Sequence, residues 1–209
     1  MVMHRGPVSL SMSNPFLPAV WLTTAPAARR YVGGWAGRRE LHVLAPQVLK
    51  KRASNVTGST EMLELTAAAL YARRVIVENN RELQDHRGPA RALTELRWAW
   101  LVEGSARWFA GQTEHSRPAI ARRLHEGGRP SFPPGIRDAA LLGGTVIDLL
   151  AREEGEQAAA QFACRLHPQG PSVALAKAFG GRALVHTEGA WRSHLARLAG
   201  GASGRSRRP

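Results

Sequence analysis

The residues of this chain best suited to chemistry lie between Trp98 and Gln112, in the run WAWLVEGSARWFAGQ. Glu103 sits there among large apolar groups. On a helix its carboxylate falls on or beside the face that buries Trp100 and Trp108. Burying a carboxylate is costly unless it is paired or bound to a metal. The plain alternative is an exposed glutamate between core aromatics. Gly104, Ser105 and Ala106, which follow it, let another backbone or a ligand come close. Other metal-ligating candidates are scattered. His86 and His115 reach Glu103 only if their loops fold back on it, and His125-Glu126 runs into Gly127-Gly128-Arg129, which is not helical. Nothing in the spacing of His42, His167, His186 or His194 promotes them. Cys164 stands alone, Ser105 lacks the Gly-x-Ser-x-Gly setting of a nucleophile elbow, and Gly33-Gly34 with Gly37 make no phosphate loop.

The elements that must position these groups follow from patterning. With 209 residues, 44% hydrophobic and 22% charged, the chain suits one globular domain and excludes a collagen, a coiled coil or wholly disordered protein. Ala19–Thr23, Arg30–Val32 and Leu41–Leu44 read as strands of a small sheet, with Gly33-Gly34 and Gly37 as turns. Ser59-Thr60-Glu61 opens a long helix reaching Asn80, and a second runs from Ala90 to Ala110. A loop over Gly127–Gly135 precedes helices at Ile136–Ala151, Glu156–Leu166, Ser172–Phe179 and Ala183–Leu198. Gly143-Gly144, each costing about 1 kcal/mol relative to alanine within a helix, points to a close helix contact or a kink. The fold class is α+β, a small N-terminal sheet followed by a helical majority. Residues 1–17 are expected as a flexible N-terminus, 18–199 as a single domain and 200–209 as a disordered basic tail.

Charge and composition narrow the partners. The net charge is +13, and all but three of the 29 basic residues are arginine, spread along the chain rather than gathered in a stripe. Non-specific attraction to polyanions follows, without a nucleic-acid module. No run is long and apolar enough to span a membrane, since Pro15, Pro18 and Pro26 interrupt Asn14–Ala28. The same prolines weigh against a signal peptide, so a cytoplasmic location is expected, and one cysteine excludes an internal disulfide framework.

Trp100-Leu101-Val102-Glu103-Gly104-Ser105-Ala106 resembles the Trp-Leu-x-Glu-Gly-x-Ala signature of gluzincin zinc metallopeptidases, the compact peptidase MA-like domains. The later order is similar too: a Gly-Gly helix over Leu141–Leu150, Glu154-Gly155, Gln161–Leu166, Ala174–Gly180 and Trp191-Arg192 before Leu195. The resemblance covers most of Ala19–Leu198 and implies a small sheet ahead of a zinc helix, with Glu103 at the third zinc-ligand position. The chain departs from the family where it matters most. A gluzincin needs His-Glu-x-x-His, whose histidines four apart share a helix face and hold zinc. Here the motif would fall at Tyr71–Val75 or at Val77–Arg81, the second keeping Glu78 at the general-base position, and neither has a histidine.

What the resemblance then implies is a catalytically inactive pseudoenzyme with no cofactor, whose residual cleft is lined by Tyr71, Arg74, Glu78, Arg81, Trp100, Glu103 and Trp108 and takes a peptide or protein partner. Glu103 is expected to pair with an arginine of the long helix, Arg74 or Arg81. Two rivals stand beside this reading. One is an active zinc-dependent hydrolase built on Glu78, Glu103 and a loop histidine; the other is a basic nucleic-acid binder using Arg73, Arg74 and the Arg205, Arg207 and Arg208 tail.

Overall fold

In the computed structural model, residues 1–37, 39–85 and 89–203 are described. Proline decides the first quarter of the chain. Its fixed φ and missing N–H suit the first turn of a helix, and four short helices begin on prolines within their first two positions: α1 (Pro7–Ser13), α2 (Leu17–Thr23), α3 (Pro26–Arg29) and α4 (Pro46–Arg52). Ahead of them runs β1 (Val2–His4), and between α3 and α4 run β2 (Gly34–Ala36) and β3 (Leu41–Leu44), in sheet order β1-β3-β2, with β1 parallel and β2 antiparallel to β3.

This corrects three expectations. Ala19–Thr23 is helical rather than a strand, because Pro18 starts a helix there and its Trp21 donates to the Val32 carbonyl at 3.2 Å. Arg30–Val32 is not a strand; pairing with β3 begins at Gly34. Residues 1–17, expected as a flexible N-terminus, hold β1, α1 and the start of α2, and Leu10 is fully buried. The strand at Leu41–Leu44 stands where expected.

The helical majority follows as α5 (Ser59–Glu64), α6 (Thr66–Asn79), α7 (Arg81–Asp85), α8 (Pro89–Arg97), α9 (Ala99–Phe109), α10 (Gln112–His115), α11 (Arg117–His125), α12 (Ile136–Glu154), α13 (Glu156–Ala163), α14 (Pro171–Ala178) and α15 (Leu184–Ser203). Both long helices expected upstream are broken, one at Leu65 and the other at Trp98, where ψ rises to 3° and 8°. The last helix continues through Gly200 and Gly201 to Ser203, into the stretch expected to be a disordered tail; residues 204–209, with Arg205, Arg207 and Arg208, lie outside the described residues. No described helix is long and apolar enough to cross a membrane.

Two contacts fix the helices that matter for the site. Gly104 of α9 lies against Gly143 and Gly144 of α12 so closely that a methyl group on Gly104 would overlap the Gly143 backbone. The three glycines thus let two backbones touch, which explains their place in helix interiors. At the end of α6, buried Asn80 donates through Nδ2 to the carbonyls of Ile76 and Ala163 at 2.8 and 2.9 Å, and its Oδ1 accepts from the Leu166 N–H at 2.8 Å. Asn80→Ala would strand buried backbone groups beyond α13 and is expected to cost about 2–3 kcal/mol in thermal unfolding. A loss within error of zero would show that these groups find other partners.

Candidate functional site

A cavity of about 780 Å³ lies between the sheet, α6 and α9. From α6 it takes Thr66, Ala69, Leu70, Arg73 and Val77, and from α9 Ala99, Val102, Glu103, Ala106 and Arg107. Both sets recur at three and four residues, so each is one face of its helix. The sheet contributes Gly33 to Gly37, five successive residues. Side chains alternate between the faces of a strand, so a consecutive run means that the cavity follows the strand's edge. Since β2 is last in the sheet, that edge has no strand beside it among the described residues. Gly33 and Gly37 bond across to Leu44 and Glu40. By the alternation of an antiparallel ladder, Gly34 and Ala36 therefore turn their backbone groups to the open side.

On the floor of the cavity Arg73 and Glu103 pair, Nε to Oε1 at 2.5 Å, with side chains 25% and 33% exposed. Burial pulls the Arg73 guanidinium down, but the Glu103 carboxylate beside it, helped by Glu95, holds it above its ordinary range. One helical turn beyond Glu103, Arg107 has no such partner. Its Nη1 donates to the Gln112 Oε1 at 3.2 Å, its Nε–H is buried without an acceptor, and it forms no ion pair among the described residues. Burial lowers its pKa, a pull that Glu103 and Tyr31 oppose only in part. Gln112 is itself held, through Nε2, by the Met62 carbonyl at 2.5 Å.

Among the seven expected cleft residues, Glu103 is the one that lines this cavity. Tyr71 is 63% exposed, Arg74 and Glu78 form a 2.7 Å pair along the outside of α6, and Arg81 is exposed at the head of α7. Trp100 is buried against Phe162, and Trp108 packs edge-on to Phe109. The reason is angular. Successive helical residues are about 100° apart, and the inward face of α6 carries Arg73, so neighbouring Arg74 points elsewhere. Glu103 accordingly pairs with Arg73, not with Arg74 or Arg81. Neither expected motif register puts both ligand positions on the inward face. Tyr71 is exposed in the first, and Arg81 lies beyond the end of α6 in the second.

His115 ends α10 and does not line the cavity, while His86 falls outside the described residues. Among the described residues, no three histidine, cysteine, aspartate or glutamate side chains are grouped to hold a metal ion. A polar cluster that sequence reasoning missed lies on the sheet. Ser9 Oγ meets His4 Nδ1 at 3.0 Å, His4 Nε2 meets His42 Nδ1 at 3.0 Å, and the His42 ring stacks on Trp35 at 4.3 Å. Burial, then the neighbouring His4, holds His42 below its ordinary pKa. Only the parallel pairing of β1 with β3 brings these histidines together, and nothing in their 38-residue spacing announces it.

Fold and site together define an α+β chain with a mostly apolar cavity beside an open strand edge. No family model, curated protein or solved structure matches it.

Proposed function

We propose that this chain is a gluzincin-like protein without a catalytic metal, which binds a peptide in the cavity beside β2. The observation that carries the reading is the Arg73–Glu103 pair. In the family it resembles, the glutamate of the Glu-Gly-x-Ala segment faces the zinc helix; here Glu103 faces α6 and meets a guanidinium. An arginine in that place both satisfies the carboxylate and repels a divalent cation. The i, i+4 positions on the inward face are Ala69, Arg73 and Val77, none of which ligates zinc. What the site retains is a groove with a free strand edge, which can add an extended peptide by main-chain hydrogen bonds.

The test has two parts. Elemental analysis of untagged protein is expected to find no stoichiometric zinc; one tightly bound zinc per chain, lost in Glu103→Gln, would overturn the reading. Titration calorimetry with short apolar peptides is expected to show binding that weakens about tenfold when one amide facing β2 is N-methylated, the scale of one lost hydrogen bond. Equal binding of the methylated peptide would remove strand addition.

A further inference from the structure

The cavity is apolar along most of its length, with Leu17, Val20, Trp35, Leu70, Val102 and Ile136 in its wall, yet Arg107 lines it without an ion pair among the described residues. Arg73 has Glu103. Arg107 has only the neutral amide oxygen of Gln112 and keeps a buried Nε–H without an acceptor. A buried N–H of a half-buried guanidinium left without an acceptor is costly, and a ligand carboxylate is the group that matches a guanidinium fork in charge and geometry.

The place of Arg107 along the groove says which carboxylate. Gly33 abuts Thr66 at the head of α6, and the Gln112 to which Arg107 donates is held by Met62, four residues before Thr66, with Tyr31 lining the cavity two residues before Gly33. Arg107 therefore stands at the Gly33 end of β2. A peptide added antiparallel to β2 runs from Ala36 towards Gly33, so its carboxyl end arrives there. Resting on the peptide-binding reading above, we infer that the cavity takes the free carboxyl terminus of an apolar peptide, with Arg107 holding the terminal carboxylate.

The experiment compares an acetylated tetrapeptide of alternating leucine and valine as its free acid and as its C-terminal amide, titrated into the full chain by calorimetry. The acid is expected to bind about tenfold to a hundredfold more tightly, the range for hydrogen bonds to charged groups. Arg107→Gln, checked for folding by circular dichroism, is expected to abolish that preference, so that acid and amide bind alike, and Arg107→Lys to keep part of it. Equal binding of acid and amide to the unaltered chain overturns the carboxylate assignment and leaves the peptide reading in place. Failure of both to bind overturns both. Binding of decanoate that depends on Arg107, with neither peptide bound, overturns the peptide as occupant.

Discussion

Asp138→Ala is expected to lower unfolding stability by about 3–5 kcal/mol, the usual cost of leaving one charge of a buried pair without its partner. Asp138, in the first turn of α12, receives two hydrogen bonds from Arg123 of α11, Nε to Oδ1 at 2.5 Å and Nη2 to Oδ2 at 2.8 Å. The two side chains are 6% and 3% exposed, so water does not replace what is lost. Arg123 also donates through Nη1 to the Gly127 carbonyl at 3.1 Å, tying the turn after α11 to the same centre. The hydrogen bond to Asp138 holds the Arg123 guanidinium above its ordinary range despite burial. Alanine at 138 leaves that cation uncompensated. Urea unfolding measures the loss. The double variant Arg123→Met with Asp138→Leu is expected to recover most of it, since apolar residues of similar volume often substitute for a buried pair at little cost. A single-variant loss below about 1 kcal/mol would mean the charges are solvated.

Gly143→Ala is the second large effect, at about 3 kcal/mol or more, because the added methyl would overlap the Trp100 carbonyl of α9 and backbone cannot rotate away as a side chain can. Intrinsic propensity favours alanine over glycine in a helix by about 1 kcal/mol, so steric overlap must first exceed that gain. Gly189, within α15, supplies the control: a methyl there meets nothing within 4 Å. Gly189→Ala is expected to raise stability by up to about 1 kcal/mol. Two identical substitutions with opposite signs in the same chain would locate the effect in the crossing of α9 and α12. Two equal effects would show that the helices are not in contact.

These contacts also show what could be read from residue order alone. The Gly143-Gly144 pair and the small residues after Glu103 each indicate a close approach by their type, and they are each other's partners. The apolar period of α12 is regular enough to mark that helix from Ile136, with Leu142, Val146, Ile147 and Leu150 fully buried. The N-terminal helices were hidden because Val20 and Trp21 favour strands by propensity, whereas the proline ahead of them and the packing behind them decide for helix. The expected cleft face of α6 carried Arg74 and Glu78, whereas the cavity is lined one residue earlier, by Arg73 and Val77, a shift that the residue types alone do not mark. Arg123 and Asp138 carry no local signal at all, since they meet only once α11 has folded onto α12.

The backbone contact at Gly104 sets how the cavity can open. Side chains slide past one another, but two backbones in contact act as one rigid beam, so α9 cannot swing without carrying α12 and the buried leucines with it. The opposite wall is built differently. There α2 shows Val20 and Leu22 to solvent and α8 shows Leu93 and Leu96, so few neighbours resist their displacement. Local opening draws on the least-packed elements. A widening of the cavity therefore falls on α2 and α8 rather than on α9, and Glu103 and Arg107, both on α9, keep their spacing through it.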